Sequence, residues 1–157
     1  MADPRKSSTS EADESSPERL SAEERAAIKE RAAELKSAGK RGRGAKKGNA
    51  ESDLLAKIAG LAEPDRVLAE RLHALVMAAA PNLTPTTWYG MPAWALDGKA
   101  MCFFQPAAKF KTRYATFGFN ENAKLDDGVF WPTAYALTEL GGTEAAELSA
   151  LVKRAAG

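Results

Sequence analysis

The sequence predicts an α+β fold, an antiparallel sheet of about four to five strands with helices packed on one face, behind a charged N-terminal arm. Three observations carry that reading. Apolar residues recur at helical spacing before Pro81 and again after Thr143, whereas the text between them has the turn-punctuated pattern of strands. All twelve aromatic residues lie between Trp88 and Tyr135, which places the core there. The total of 157 residues suits one hydrophobic core, and the expected domain runs from about Glu51 to the C-terminus.

Residues 1–20 hold Ser, Glu, Asp and Lys with little to bury, so the entropy of ordering them is not offset and a disordered tail is expected. Ser21 with Glu24 three residues later forms a capping box and opens a helix expected over Ala22 to Ala38, built of Ala, Glu, Arg and Lys. Ile28 and Leu35 are its only large apolar side chains after the start, so weak docking or none is predicted. The stretch Gly39 to Asn49 contains four glycines and five basic residues, and residues 39–50 read as a flexible linker.

A short helix carrying Leu54, Leu55 and Ile58 is expected to start at Ser52 or Asp53 and end near Gly60. Pro64 suits the first turn of the next, whose stripe is Val67, Leu68, Leu72, Leu75, Val76 and Ala79, with Arg66, Glu70, His73 and Met77 toward the other side. Strands follow at Thr86 to Tyr89, Ala93 to Leu96 and Ala100 to Gln105, the last two joined by the Asp97-Gly98 turn. A further strand is expected from about Lys111 to Phe119, then a loop over Asn120 to Gly128 and an edge strand over Pro132 to Leu137. Thr143 is the expected cap of a last helix that turns Leu148, Leu151 and Val152 inward.

Charge and cysteine content narrow the chemistry. The arm, residues 1–50, has a net charge of +3 and the remainder −2, so the total of +1 names no partner class. Cys102 is the lone cysteine, which excludes an intramolecular disulfide and fits a reducing compartment. No apolar run serves as a signal-peptide core or approaches the ~20 residues that span a bilayer, so a cytoplasmic location without membrane contact is expected.

The run WYGMPAW from Trp88 to Trp94, followed by DGKAMCFFQPAAKFKTRYATFGF from Asp97 to Phe119, resembles the YdhG-like family of domains of unknown function. The matching positions are Tyr89, Met91, Pro92, Trp94, Gly98, Lys99, Phe104 and Lys109, within a resemblance spanning roughly Leu54 to Val152. That resemblance implies an α+β fold. Because some members are described as frataxin-like iron chaperones, it also raises iron handling, and it implies no established catalytic residues.

Lys109, Lys111 and Arg113 alternate in the strand expected there, which would align three cations on one face for a small anionic ligand or a partner protein; a charged edge that discourages aggregation fits the same pattern. Trp88, Tyr89, Met91, Pro92 and Trp94 are candidates for a ligand pocket or for core, with Tyr89 the best placed to expose a hydroxyl. Iron would need converging hard ligands, yet the nearest acidic cluster is Glu121, Asp126 and Asp127, with His73 on another element. No metal site and no cofactor is therefore expected. Nor is an enzyme: Cys102 lies in an apolar run, and no nucleophile–base ordering or phosphate-binding glycine signature occurs. Lys36, Lys40, Arg41, Arg43, Lys46 and Lys47 lack any interleaved aromatic, so they would hold nucleic acid only weakly and without sequence preference. The expected function is a non-catalytic binding domain, with iron chaperone and weak nucleic-acid binding as alternatives.

Overall fold

The computed structural model describes residues 21–41 and 47–157, with side chains for 21–36 and 49–157. The expected disordered tail and the middle of the expected linker lie outside the described residues. Ten elements follow in order: α1 (Ala22–Arg41), α2 (Lys47–Ala59), α3 (Asp65–Ala79), β1 (Thr84–Trp88), β2 (Met91–Leu96), β3 (Lys99–Gln105), α4 (Ala107–Phe110), β4 (Ala115–Phe119), β5 (Ala134–Leu137) and α5 (Gly142–Ala156). The fold is α+β. The five strands form one antiparallel meander in the order β1-β2-β3-β4-β5.

Register decides which residues share the helix-covered face. Trp94 pairs with Cys102 and Cys102 with Phe119, while Phe104 pairs with Phe117, and all five belong to the core. Leu54 and Ile58 of α2, Leu72 and Val76 of α3 and Val152 of α5 pack on them, each at most 1% exposed. Each such side chain contributes about 1.5–3 kcal/mol by leaving water, so this layer is the main source of stability. A bulge opposite Trp94 and Ala95 leaves Met101 without a partner, and Met101 and Cys102 are both fully buried. On the other face Phe103 lies opposite Gly118, where an added Cβ would come within 2.4 Å of the phenyl ring.

Four expectations need correction. The arm helix runs on to Arg41 and α2 begins at Lys47, so the expected linker is helical at both ends. Ser21 does cap α1, its Oγ accepting the Glu24 N–H at 3.1 Å. His73 is 8% exposed rather than at the surface, because Trp94 Nε1 donates to its Nδ1 at 3.2 Å and its Nε2 meets Glu51 Oε1 at 2.9 Å. Helix α5 is capped at Gly141, not Thr143: the Glu144 carboxylate reaches back to accept the Gly141 N–H at 3.0 Å.

The fourth correction concerns the expected Lys111 to Phe119 strand. Pro106 ends β3, residues 107–110 form one helical turn, and Lys111 closes it in the left-handed region at φ +53°. Asp65, 3% exposed at the start of α3, accepts the Ala108 N–H at 2.9 Å and holds that turn. The strand begins only at Ala115 and pairs with β3 from Thr116, so the alternation of Lys109, Lys111 and Arg113 is not that of a strand.

Candidate functional site

β1 and β2 are joined by two residues, because Trp88 pairs with Met91. Tyr89 at φ +52° and Gly90 at φ +76° are both left-handed, the conformation of a two-residue hairpin turn that matches the twist of the strands. Such a turn leaves two successive N–H groups unused by the ladder, and these form a small cradle for an anion. Here a carboxylate fills it: Glu34 of α1 accepts the Tyr89 N–H through Oε2 at 3.1 Å and the Gly90 N–H through Oε1 at 2.9 Å.

Lys109 supplies positive charge to the same place. Its Nζ donates to the Gly90 carbonyl at 2.9 Å and to both oxygens of Glu30, at 3.0 and 2.8 Å. Lys57 of α2 donates to Glu30 Oε2 at 3.3 Å. Burial pushes the Glu30 carboxyl up, but the hydrogen bond and charge of Lys109, with those of Lys57, outweigh it and hold the group below the ordinary carboxylate value. The Arg31 guanidinium sits 5.4 Å from the centre of the Tyr89 ring. One turn of α1 thus brings Glu30, Arg31 and Glu34 onto the hairpin.

The three expected cations are separated. Lys109 joins the turn, whereas Lys111, 77% exposed, pairs with Glu23 of α1 at 2.5 Å. That hydrogen bond lowers the Glu23 carboxyl and raises the Lys111 ammonium from their ordinary values. Arg113 is exposed and stacks on Tyr114 at 5.1 Å. The expected aromatic cluster divides as well. Trp94, Met91 and Pro92 are buried, while Trp88 and Tyr89 are half-buried and meet edge to face at 4.8 Å, with Phe103 5.0 Å from Trp88.

Trp88 also lines a polar recess of about 410 Å³ with Arg31, Thr86, Lys99, Asn120 and Asn122. In its wall the Asn122 Oδ1 is buried without a hydrogen-bond partner, although its amide donates to the Lys99 carbonyl at 3.3 Å. A second recess of about 600 Å³ lies beneath Val129 and Phe130, which are 95% and 85% exposed. Comparison of the chain with family models, with curated proteins and with solved structures found no match.

Glu121 and Asp126 both line the second recess, but His73 is taken up by Trp94 and Glu51, so the structure does not bring the acidic loop and the histidine together. Among the described residues no group of three or more His, Cys, Asp or Glu is placed to hold a metal ion. Burial pushes the Cys102 thiol well above its ordinary value. No described helix is long and apolar enough to cross a membrane. Of the basic arm residues, Arg43 and Lys46 lie outside the described residues, as do the side chains of Lys40, Arg41 and Lys47.

Sequence reasoning missed Glu30, Glu34 and Gly90. The signal was available in two places: Glu30 and Glu34 are one helical turn apart, and Tyr89-Gly90 between strand-like runs marks a turn that needs positive φ.

Proposed function

We propose that the chain is a non-catalytic binding protein whose site takes a carboxylate at the Tyr89–Gly90 turn. One observation carries this: two successive backbone N–H groups hold both oxygens of one carboxylate, with the Lys109 ammonium bonded to the carbonyl of the same turn. Backbone donors fixed by a hairpin need no reorganisation to receive an anion, and each hydrogen bond to a charged acceptor contributes about 1.5–3 kcal/mol. The half-buried Trp88 and Tyr89 beside the turn would supply apolar contact to the rest of a ligand.

Membership of the YdhG-like family belongs to the same proposal. What supports it is that resembling residues far apart in sequence serve one place: Tyr89 is the first residue of the turn, Met91 follows it, and Lys109 reaches back to it. The test is a titration of the full chain carrying Glu30→Ala and Glu34→Ala with glutarate, followed by backbone amide shifts. Saturable shifts at Tyr89 and Gly90, weakened about tenfold by adding Lys109→Ala, are expected for one charged hydrogen bond lost. Shifts that never saturate, or that Lys109→Ala leaves unchanged, would overturn the reading.

A further inference from the structure

The side of α1 that meets the domain is acidic rather than apolar. Glu23, Ala27, Glu30 and Glu34 fall at i, i+4, i+7 and i+11, which return to one side of a helix. Glu23 reaches Lys111, Glu30 reaches Lys109 and Lys57, and Glu34 reaches the Tyr89–Gly90 turn, a line of contacts that spans about 16 Å along the helix axis. Ala27, 8% exposed, is the buried apolar residue in that row. The two large apolar residues, Ile28 and Leu35, are 51% and 58% exposed and take no part.

From this geometry we infer that the surface under α1 is a docking site for an acidic helix of another protein, with α1 as its tethered competitor. The inference rests on the carboxylate reading of the Tyr89–Gly90 turn and adds the identity of the ligand: a helix bearing carboxylates at i, i+7 and i+11 and a small residue at i+4. Charge complementarity selects it, since three basic side chains and two backbone N–H groups face that row. An apolar helix would leave those donors unpaired.

The hold of α1 suits displacement. Ion pairs that water reaches contribute little individually, and α1 adds almost no apolar burial to them. Its advantage is the tether, which gives it an effective concentration that a short linkage sets at the order of millimolar. A free helix therefore sees its affinity reduced by the fraction of chains whose site is open. Weakening the carboxylates of α1 raises that fraction.

The test uses the full chain and, as probe, a fluorescein-labelled peptide of residues 22–41. Peptide binding at least tenfold tighter to the Glu30→Gln, Glu34→Gln chain than to the unaltered chain is expected. Lys109→Ala added to that chain should weaken it about tenfold, and Glu→Gln at positions 23, 30 and 34 of the peptide should abolish it. Far-UV circular dichroism of each variant establishes that it is folded, and Glu34→Ala alone provides a milder second variant. Equal binding of the Gln peptide, equal binding to both chains, or a stable dimer that exchanges α1 between copies in light scattering would each overturn the inference. Saturable glutarate shifts at Tyr89 and Gly90 without peptide binding would sink the helix partner and leave the carboxylate site standing; loss of both would remove the two together.

Discussion

The pair Trp94–His73 decides whether the segment Met91 to Trp94 belongs to core or to an open pocket, and a double-mutant cycle measures it. The Trp94 indole is fully buried and can only donate, so His73 Nδ1 accepts its hydrogen bond and Nε2 carries the proton that faces Glu51. In His73→Leu a buried indole N–H loses its partner, which costs about 1–3 kcal/mol. Glu51, 44% exposed, turns to water and contributes little. Trp94→Phe strands the imidazole acceptor in the same way and adds the loss of packed volume. The double variant keeps the volume loss but leaves no orphaned group, so the two single effects should exceed the combined one by about 1–2 kcal/mol. Urea unfolding of the four proteins, followed by circular dichroism, gives that coupling. Additivity within about 0.5 kcal/mol would mean that water satisfies the indole, and the reading of Trp94 as core would fail.

Three other outcomes are expected. Gly90→Ala should release α1 without unfolding the core, since the new Cβ would fall on the Glu30 carboxylate and the left-handed backbone costs about 1–2 kcal/mol for alanine; amide exchange should quicken throughout α1 and stay slow in β2 and β3. Acid should undock α1 first. The Glu30 carboxyl is lowered in the docked state, so its contribution is complete above the ordinary value of 4.5 and is lost as pH falls below it; α1 amide protection that stays constant from pH 6 to pH 3 would contradict this. Cys102 should be alkylated by iodoacetamide at least about 100-fold more slowly in the folded chain than in urea, because burial keeps its thiol protonated and out of reach.

The sheet was legible because its signals are local. The Asp97-Gly98 turn, the apolar run before Gln105 and the helical stripe of α3 each announce their element within a few residues. The site was not legible, because it is assembled from three remote segments by polar contacts. Nothing near Lys111 reveals that Asp65, 43 residues before Ala108, closes a helical turn there and breaks the expected alternation. His73 failed for a related reason: periodicity assigns it to the side away from the apolar stripe, and only the indole of Trp94, 21 residues away, makes its burial favourable.

Weak docking of α1 was expected from its lack of large apolar residues, an argument that counts hydrophobic burial alone. What docking the helix has comes from polar contacts instead. The Glu34 carboxylate satisfies two backbone N–H groups at a turn whose Gly90 is buried, and those groups would otherwise have to be hydrated at the edge of the core. The interaction is therefore directional, tied to the left-handed geometry of Tyr89 and Gly90, and sensitive to salt and acid in a way that packing is not. An apolar helix in the same place would leave the two backbone N–H groups and the facing lysines without acceptors. A row of carboxylates matches those donors, which is why, on the inference drawn above, a second helix with the same charges in the same order would compete for the place.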